Sequence, residues 1–143
     1  MPDEQSRSAE IQRELREIYE TRFGPPRTEL IEAGRVRDYL LAMDEPCDRT
    51  DDDPVPALFL LTLARTRRPQ PSLGTSVNAG DEYEFRLPVH VGDRISVARQ
   101  VTEVAEKQGK RGPMYLIRSE STYTNQSGEL VAVGRQSIMS WGR

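Results

Sequence analysis

One histidine and one cysteine limit the chemistry that this chain can perform. A single histidine excludes a His-cluster metal centre and any mechanism needing two histidines from one chain. That residue, His90, stands between Pro88 and Gly92, where the chain turns from one extended segment to the next. Turn histidines are usually exposed and inert. A single cysteine excludes an internal disulfide and a Cys-rich zinc site. A nucleophilic cysteine needs a base or positive neighbours. Cys47 instead has Asp44, Glu45, Asp48 and Asp51 nearby, which disfavour a thiolate. The run Asp51-Asp52-Asp53 lacks the alternating ligands and closing glutamate of a calcium loop, so it reads as a solvated loop.

The 143 residues are enough for one domain with one core. Hydrophobic residues make up 36% and charged residues 30%, a soluble composition. The longest apolar stretch, Val55–Ala64, is broken by Pro56 and Thr62 and is half of what a bilayer span requires. The first residues, Met-Pro-Asp-Glu-Gln-Ser-Arg, show no apolar secretory segment, so a cytoplasmic location is expected. The net charge of -3 is unevenly spread: residues 1–62 carry -7 and residues 63–143 carry +4. The basic half is too mild for general nucleic-acid binding, but sufficient to hold a small phosphorylated ligand.

Several elements must position any site. Ile11, Leu15, Ile18, Tyr19 and Phe23 form one apolar stripe, predicting an amphipathic helix. Ser8 is its expected N-cap and Gly24-Pro25-Pro26 its stop. Such a stripe covers a core more often than it binds a partner. Thr28–Ile31 reads as a short strand. Val36, Tyr39, Leu40 and Met43 predict a second helix, ended by Asp44-Glu45-Pro46. Pro56–Ala64 is apolar nearly all round and reads as a central core helix with Pro56 in its first turn. From Ser76 the period becomes two. Tyr83, Phe85 and Leu87 mark a half-buried strand; Ile95, Val97 and Val101 mark the next; Tyr115, Ile117 and Tyr123 mark a third. Lys107–Gly112 reads as a basic hairpin loop and Asn125–Gly128 as a turn before a last strand, Leu130–Trp141. The expected architecture is α+β: an antiparallel sheet wrapped round a central helix, the hot-dog arrangement.

Three segments carry a family likeness: Glu32–Tyr39, Pro56–Leu63 and, most specific, Gly80–Arg94, with Glu84-Phe85, Pro88 and Gly92-Asp93 in order. The ending Thr122–Val131 fits the same pattern. In these the chain resembles the MaoC-like hydratase/dehydratase superfamily, and more narrowly its fatty-acid-synthase-type dehydratase N-terminal branch. The likeness covers roughly Thr28 to Trp141, which suggests a division into an N-terminal helical extension, 1–27, and a hot-dog domain, 28–143.

The resemblance implies paired hot-dog domains with a thioester ligand between them. Active members carry Gly-Asp-x-Asn-Pro-x-His before the core helix; its Asp and His deprotonate, orient and relay one water by general acid–base chemistry. The matching stretch here is Ala42–Thr50: Asp44 replaces the Gly, Glu45 the Asp and Cys47 the Asn, and no His follows. The resemblance therefore implies a non-catalytic or degenerate subunit. It would pair with a catalytic MaoC-like hot-dog partner, in a dimer or higher oligomer. The pair would act as an enoyl-CoA hydratase or (3R)-hydroxyacyl dehydratase on an acyl-CoA or acyl-carrier thioester. A bulky acyl group such as a steroid side chain fits the analogy, with a place in lipid or steroid metabolism. The alternatives are a thioester-binding scaffold with no catalytic role, or a stand-alone homodimeric hydratase using Glu45 or His90. An isolated surface carboxylate such as Glu45 is a weak base. Phe59, Leu60, Thr62 and Leu63 are the expected acyl-tunnel wall, although Thr62 can equally bond a carbonyl one turn back. Arg65, Arg67, Arg68, Arg86, Arg94, Lys110 and Arg111 are the expected contacts to thioester-tail phosphates. No cofactor beyond coenzyme A or phosphopantetheine as part of the substrate, no metal, no nucleic acid and no membrane are implied.

Overall fold

The computed structural model describes residues 3–63 and 74–142. The apolar stripe at the start of the chain becomes α1, Glu4–Phe23. Its N-cap is Asp3, whose carboxylate accepts from the Ser6 N–H at 2.7 Å. Ser8, the expected cap, lies inside the helix. It is buried and hydrogen-bonds the Glu106 carboxylate far along the chain. A cap rule cannot choose between two candidates five residues apart when a non-local partner claims one of them. Leu15 and Tyr19 are buried, while Ile18 faces solvent.

β1, Arg27–Leu30, leads into α2, Ala33–Ala42. The helix ends where Asp44 takes a positive φ of 55° and the Glu45 N–H bonds back to the Leu40 carbonyl at 2.9 Å. The expected central helix over Pro56–Ala64 is corrected. The segment forms a 3-10 helix of six residues, Ala57–Thr62, and Ala64 lies outside the described residues. The Leu63 N–H bonds the Leu60 carbonyl, and the Thr62 hydroxyl bonds the Phe59 carbonyl at 2.7 Å. Both bonds span three residues, the tighter spacing that short helices adopt. Phe59, Leu60 and Leu63 are buried, but Leu58 is exposed, so the run is not covered on all sides.

Four long strands follow: β2, Thr75–Phe85; β3, Arg94–Gly109; β4, Gly112–Thr124; and β5, Leu130–Trp141. With β1 they pair antiparallel in the order β1-β3-β4-β5-β2. The expected basic loop at 107–112 shrinks to Lys110-Arg111, because both strands continue to the hairpin tip. β2 is an edge strand. Phe85 and Leu87, expected to be half-buried, are exposed there.

Most of the buried apolar groups of the strands share one inner face, while Leu116 and Val133 lie on the other. At one end Ile95, Val97, Tyr123 and Ala132 pack with Ile31, Val36, Leu40 and the 3-10 helix. At the other, Val101, Tyr115, Ile117 and Ile138 pack under Leu15 and Tyr19 of α1. The first helix thus covers the sheet on the same side as the 3-10 helix. Together they make the α+β hot-dog layering: helical segments on one face of a curled antiparallel sheet. No helix among the described residues is long and apolar enough to cross a membrane.

Candidate functional site

The segment that matches the family's catalytic stretch leaves α2 at Asp44 and reaches the 3-10 helix at Ala57. Residues 43–54 are exposed throughout. The loop is tied at its far end by the Val55 N–H, which bonds the Val89 carbonyl at 2.7 Å. Within it, the Asp53 carboxylate accepts from the Thr50 N–H at 2.9 Å. Between loop and helices lies a cleft of about 560 Å³, floored by Tyr39, Leu40, Met43 and Leu58 and rimmed by Glu45 and Arg49. A second groove of about 280 Å³ runs past Val55, Leu60, Phe85 and Val89, with Arg86 beside it. Ala57 borders both. Met43, Leu58, Phe85 and Leu87 expose large apolar surface around these openings. Contiguous exposed apolar surface of this kind marks a place for an apolar ligand or a partner.

Glu45 reaches the cleft as an exposed carboxylate, and its own carbonyl accepts from the Cys47 thiol. His90 is not among the residues lining the cleft or the groove. Its N–H bonds the Asp93 carboxylate at 2.9 Å, and Asp93 also accepts from Gln126 at 3.0 Å. These bonds fix a turn, and no general-base dyad of Glu45 and His90 is assembled at the cleft. Cys47 is exposed in the same acidic loop.

Of the expected tunnel residues, Leu60 lines the groove. Phe59 and Leu63 are core groups: Phe59 meets Tyr39 edge-on at 5.6 Å and lies under the Arg35 guanidinium. Thr62 spends its hydroxyl on the Phe59 carbonyl. The expected phosphate contacts among the described residues do not converge. Arg86 lies by the groove, paired with Glu84 at 3.1 Å. Arg94 begins β3 and Lys110 and Arg111 follow its end, roughly 50 Å away along the strand at about 3.3 Å per residue. Arg65, Arg67 and Arg68 lie outside the described residues. Met43 and Leu58, not singled out from the sequence, form much of the cleft's apolar surface. Leu58 was hidden inside an apolar run, and Met43 inside a helical stripe.

Comparison with known proteins agrees with this layout. Residues 20–133 match the family described as the FAS1-like dehydratase domain region. No curated protein matches the chain. Among solved structures, the ChsH1-ChsH2 complex from Mycobacterium tuberculosis superposes with a TM-score of 0.71 at 14% identity, covering 93% of this chain and 92% of that one. The C-terminally truncated HadBC (3R-hydroxyacyl-ACP dehydratase) complex from the same organism gives 0.63 at 18% identity, over 80% and 90%. A MaoC-like dehydratase from Rhodospirillum rubrum gives 0.62 at 17% identity, over 83% and 90%.

Proposed function

The chain belongs to the FAS1-like dehydratase family and has its hot-dog fold, and from that membership we propose that it is the degenerate subunit of a heteromeric hydratase. The pair would hydrate a trans-2-enoyl thioester, or dehydrate the (3R)-hydroxyacyl thioester. The observation that carries this reading is the exposed loop at 43–54. It offers Glu45 to a large apolar cleft but brings no histidine to it. Water addition to an enoyl thioester needs a base and a proton donor on one water, and a lone exposed carboxylate supplies only half. The Asp and His come from the partner chain. This chain contributes scaffold, the apolar cleft and groove as part of the acyl site, and Arg86 toward the thioester tail. Coenzyme A or an acyl-carrier phosphopantetheine enters as part of the substrate. Two solved structures with this fold, HadBC and ChsH1-ChsH2, are two-component complexes, which supports a second hot-dog subunit.

The test is hydration of trans-2-enoyl-CoA by the folded chain alone and with a hot-dog subunit carrying the intact Gly-Asp-x-Asn-Pro-x-His motif. No turnover alone and turnover in the pair is the expected result. In that pair Glu45→Gln and His90→Ala should each change kcat by less than about threefold, since removing a true general base costs on the order of a hundredfold or more. Turnover by the lone chain, lost in either variant, would replace this reading with a self-sufficient homodimer. Thioester binding without turnover in any pairing would make the chain a scaffold.

A further inference from the structure

The end of the sheet under the start of α1 holds a second, separate opening. A pocket of about 240 Å³ lies there between the first turns of the helix and the last residues of β5. Ser8 and Ile11 form its helix side; Pro113, Tyr115 and Trp141 form its sheet side. It shares no lining residue with the cleft or the groove of the proposed acyl site. Its volume is below the roughly 300–1,000 Å³ of sites for drug-sized ligands, so it fits a small molecule of one ring or a short chain.

One half-buried charged group lines this pocket from the sheet. Glu106 stands opposite Tyr115 in the register, on the face that α1 covers. Its carboxylate is held on both oxygens by neutral donors. The Ser8 hydroxyl donates to Oε2, and the Gln108 amide donates to Oε1 at 3.4 Å. Ser8 is itself buried, and its oxygen accepts from the Gln12 amide at 3.1 Å. An ionised carboxylate accepts at about four lone-pair sites, so roughly half of its capacity is left for a ligand. Glu106 forms no ion pair among the described residues. Removing a carboxylate from water without a counter-charge is unfavourable, and neutral donors offset only part of that cost. At the rim, Glu4 and Arg7 are exposed and of opposite sign. They cancel, so the inner carboxylate sets the charge of the ligand. No group of three metal-ligating side chains gathers among the described residues, so a bare metal ion does not fit. Trp141 and Tyr115 favour an organic cation further, because aromatic faces attract positive charge.

We propose that the pocket between α1 and the ends of β3, β4 and β5 binds a small organic amine as its ammonium ion. Glu106 is the counter-charge, and Trp141, Tyr115 and Ile11 surround the apolar body. The observation that carries this is a half-buried carboxylate, fixed on both oxygens by neutral groups, lining a cavity with apolar and aromatic walls. The site is independent of the proposed hydratase.

Trp141 is the only tryptophan of the chain, so its emission reports on this pocket. The full chain is titrated with 2-phenylethylamine, 2-phenylethanol and 3-phenylpropionate at neutral pH, read by Trp141 emission and by calorimetry. The amine should bind saturably, change the emission, and outbind the alcohol by about tenfold or more, the scale of a charge-assisted hydrogen bond. Glu106→Gln should remove that preference, while its carbonyl still accepts from Ser8 and holds the helix. Glu4→Gln should change the affinity by less than about twofold, because an exposed charge is screened. Ile11→Phe narrows the pocket from the helix side and should weaken amine and alcohol alike, which tests the place even if the Glu106 variant folds poorly. No saturable binding, equal binding of amine and alcohol, tighter binding of the propionate, or calorimetric binding with unchanged emission would overturn the site. A preference kept in Glu106→Gln would overturn the role of its carboxylate. An end-blocked Ala-Lys-Ala peptide that outbinds the amine would assign the site to a lysine of a partner protein and overturn the choice of a small amine.

Discussion

Tyr123 shows how one buried hydroxyl ties pH to stability. It is almost fully buried, and burial raises its pKa from the ordinary 10.0, with Arg99 acting in the opposite direction. Tyr83 is raised as well, by its own burial first and then by Tyr123 and Asp81. The folded chain therefore holds these protons more tightly than the unfolded chain does. Their contribution to stability is complete below about pH 10 and is lost as the pH rises through the folded values. Tyr123→Phe should lower stability at neutral pH by about 1 kcal/mol and flatten the alkaline arm. Denaturant midpoints from pH 8 upward check this; an alkaline arm as steep as the parent's would assign the loss to other groups. At this scale the sequence was legible where a side chain needed only its own strand. The phase of Ile95, Val97 and Val101 is correct, and so is that of Tyr115, Ile117 and Tyr123. Arg99 stands in the same phase as Val97 and Val101, and a cation on an apolar phase is a readable signal. Its neighbours Tyr123 and Tyr83, one and three strands away in the register, were not readable.

Among the elements, α2 ends on a residue that its backbone does not favour. Asp44 sits at φ 55°, a left-handed conformation that costs an L-residue about 1 kcal/mol and glycine almost nothing. Glycine's greater freedom when unfolded offsets part of the gain. Asp44→Gly should raise stability by about 0.5 kcal/mol, a melting shift of a few degrees, without moving the loop. A melting temperature equal to or below the parent's would mean that the aspartate makes a compensating contact. Helices with a periodic stripe were visible in the sequence, because period is local. The 3-10 helix was not: Ala57–Thr62 is apolar at nearly every position, so no period separates a six-residue 3-10 turn from a longer α-helix. The stripe of α1 showed that the helix covers a core, but not that Leu15 and Tyr19 would meet β3, β4 and β5.

For the molecule as a whole, the governing feature is an open edge. Among the described residues β2 pairs only with β5; it exposes Val77 and Phe85, with Leu87 exposed just beyond its end. An unpaired strand edge invites pairing with another chain. The proposed partner would continue the sheet there, close to the cleft and groove. Val77→Lys with Phe85→Lys should weaken assembly with the hydratase partner by about tenfold or more while shifting the melting temperature of the lone chain only slightly, since neither side chain is buried. Sedimentation of the mixed subunits checks this; unchanged assembly would place the partner elsewhere. The fold class was legible because helices precede a run of strands. The scatter of basic groups was not, because charge read along the chain brings Arg94 and Lys110 within sixteen residues, whereas a straight strand holds them far apart.

The strand order also sets a timetable. β3, β4 and β5 are neighbours in both sequence and space, and β3 and β4 meet across a two-residue tip. β2 precedes all three in the chain but pairs only with the last, Phe85 against Ala132 and Thr75 against Trp141. On a growing chain, β2 therefore emerges early and waits, while the meander that will receive it is still being made. Non-local closure of this kind is slow relative to a hairpin. During that interval its exposed valine and aromatic groups are available to other nascent chains. A second subunit synthesised alongside could meet the strand while it is still single, so the order of synthesis, as much as final affinity, would decide which partner it takes.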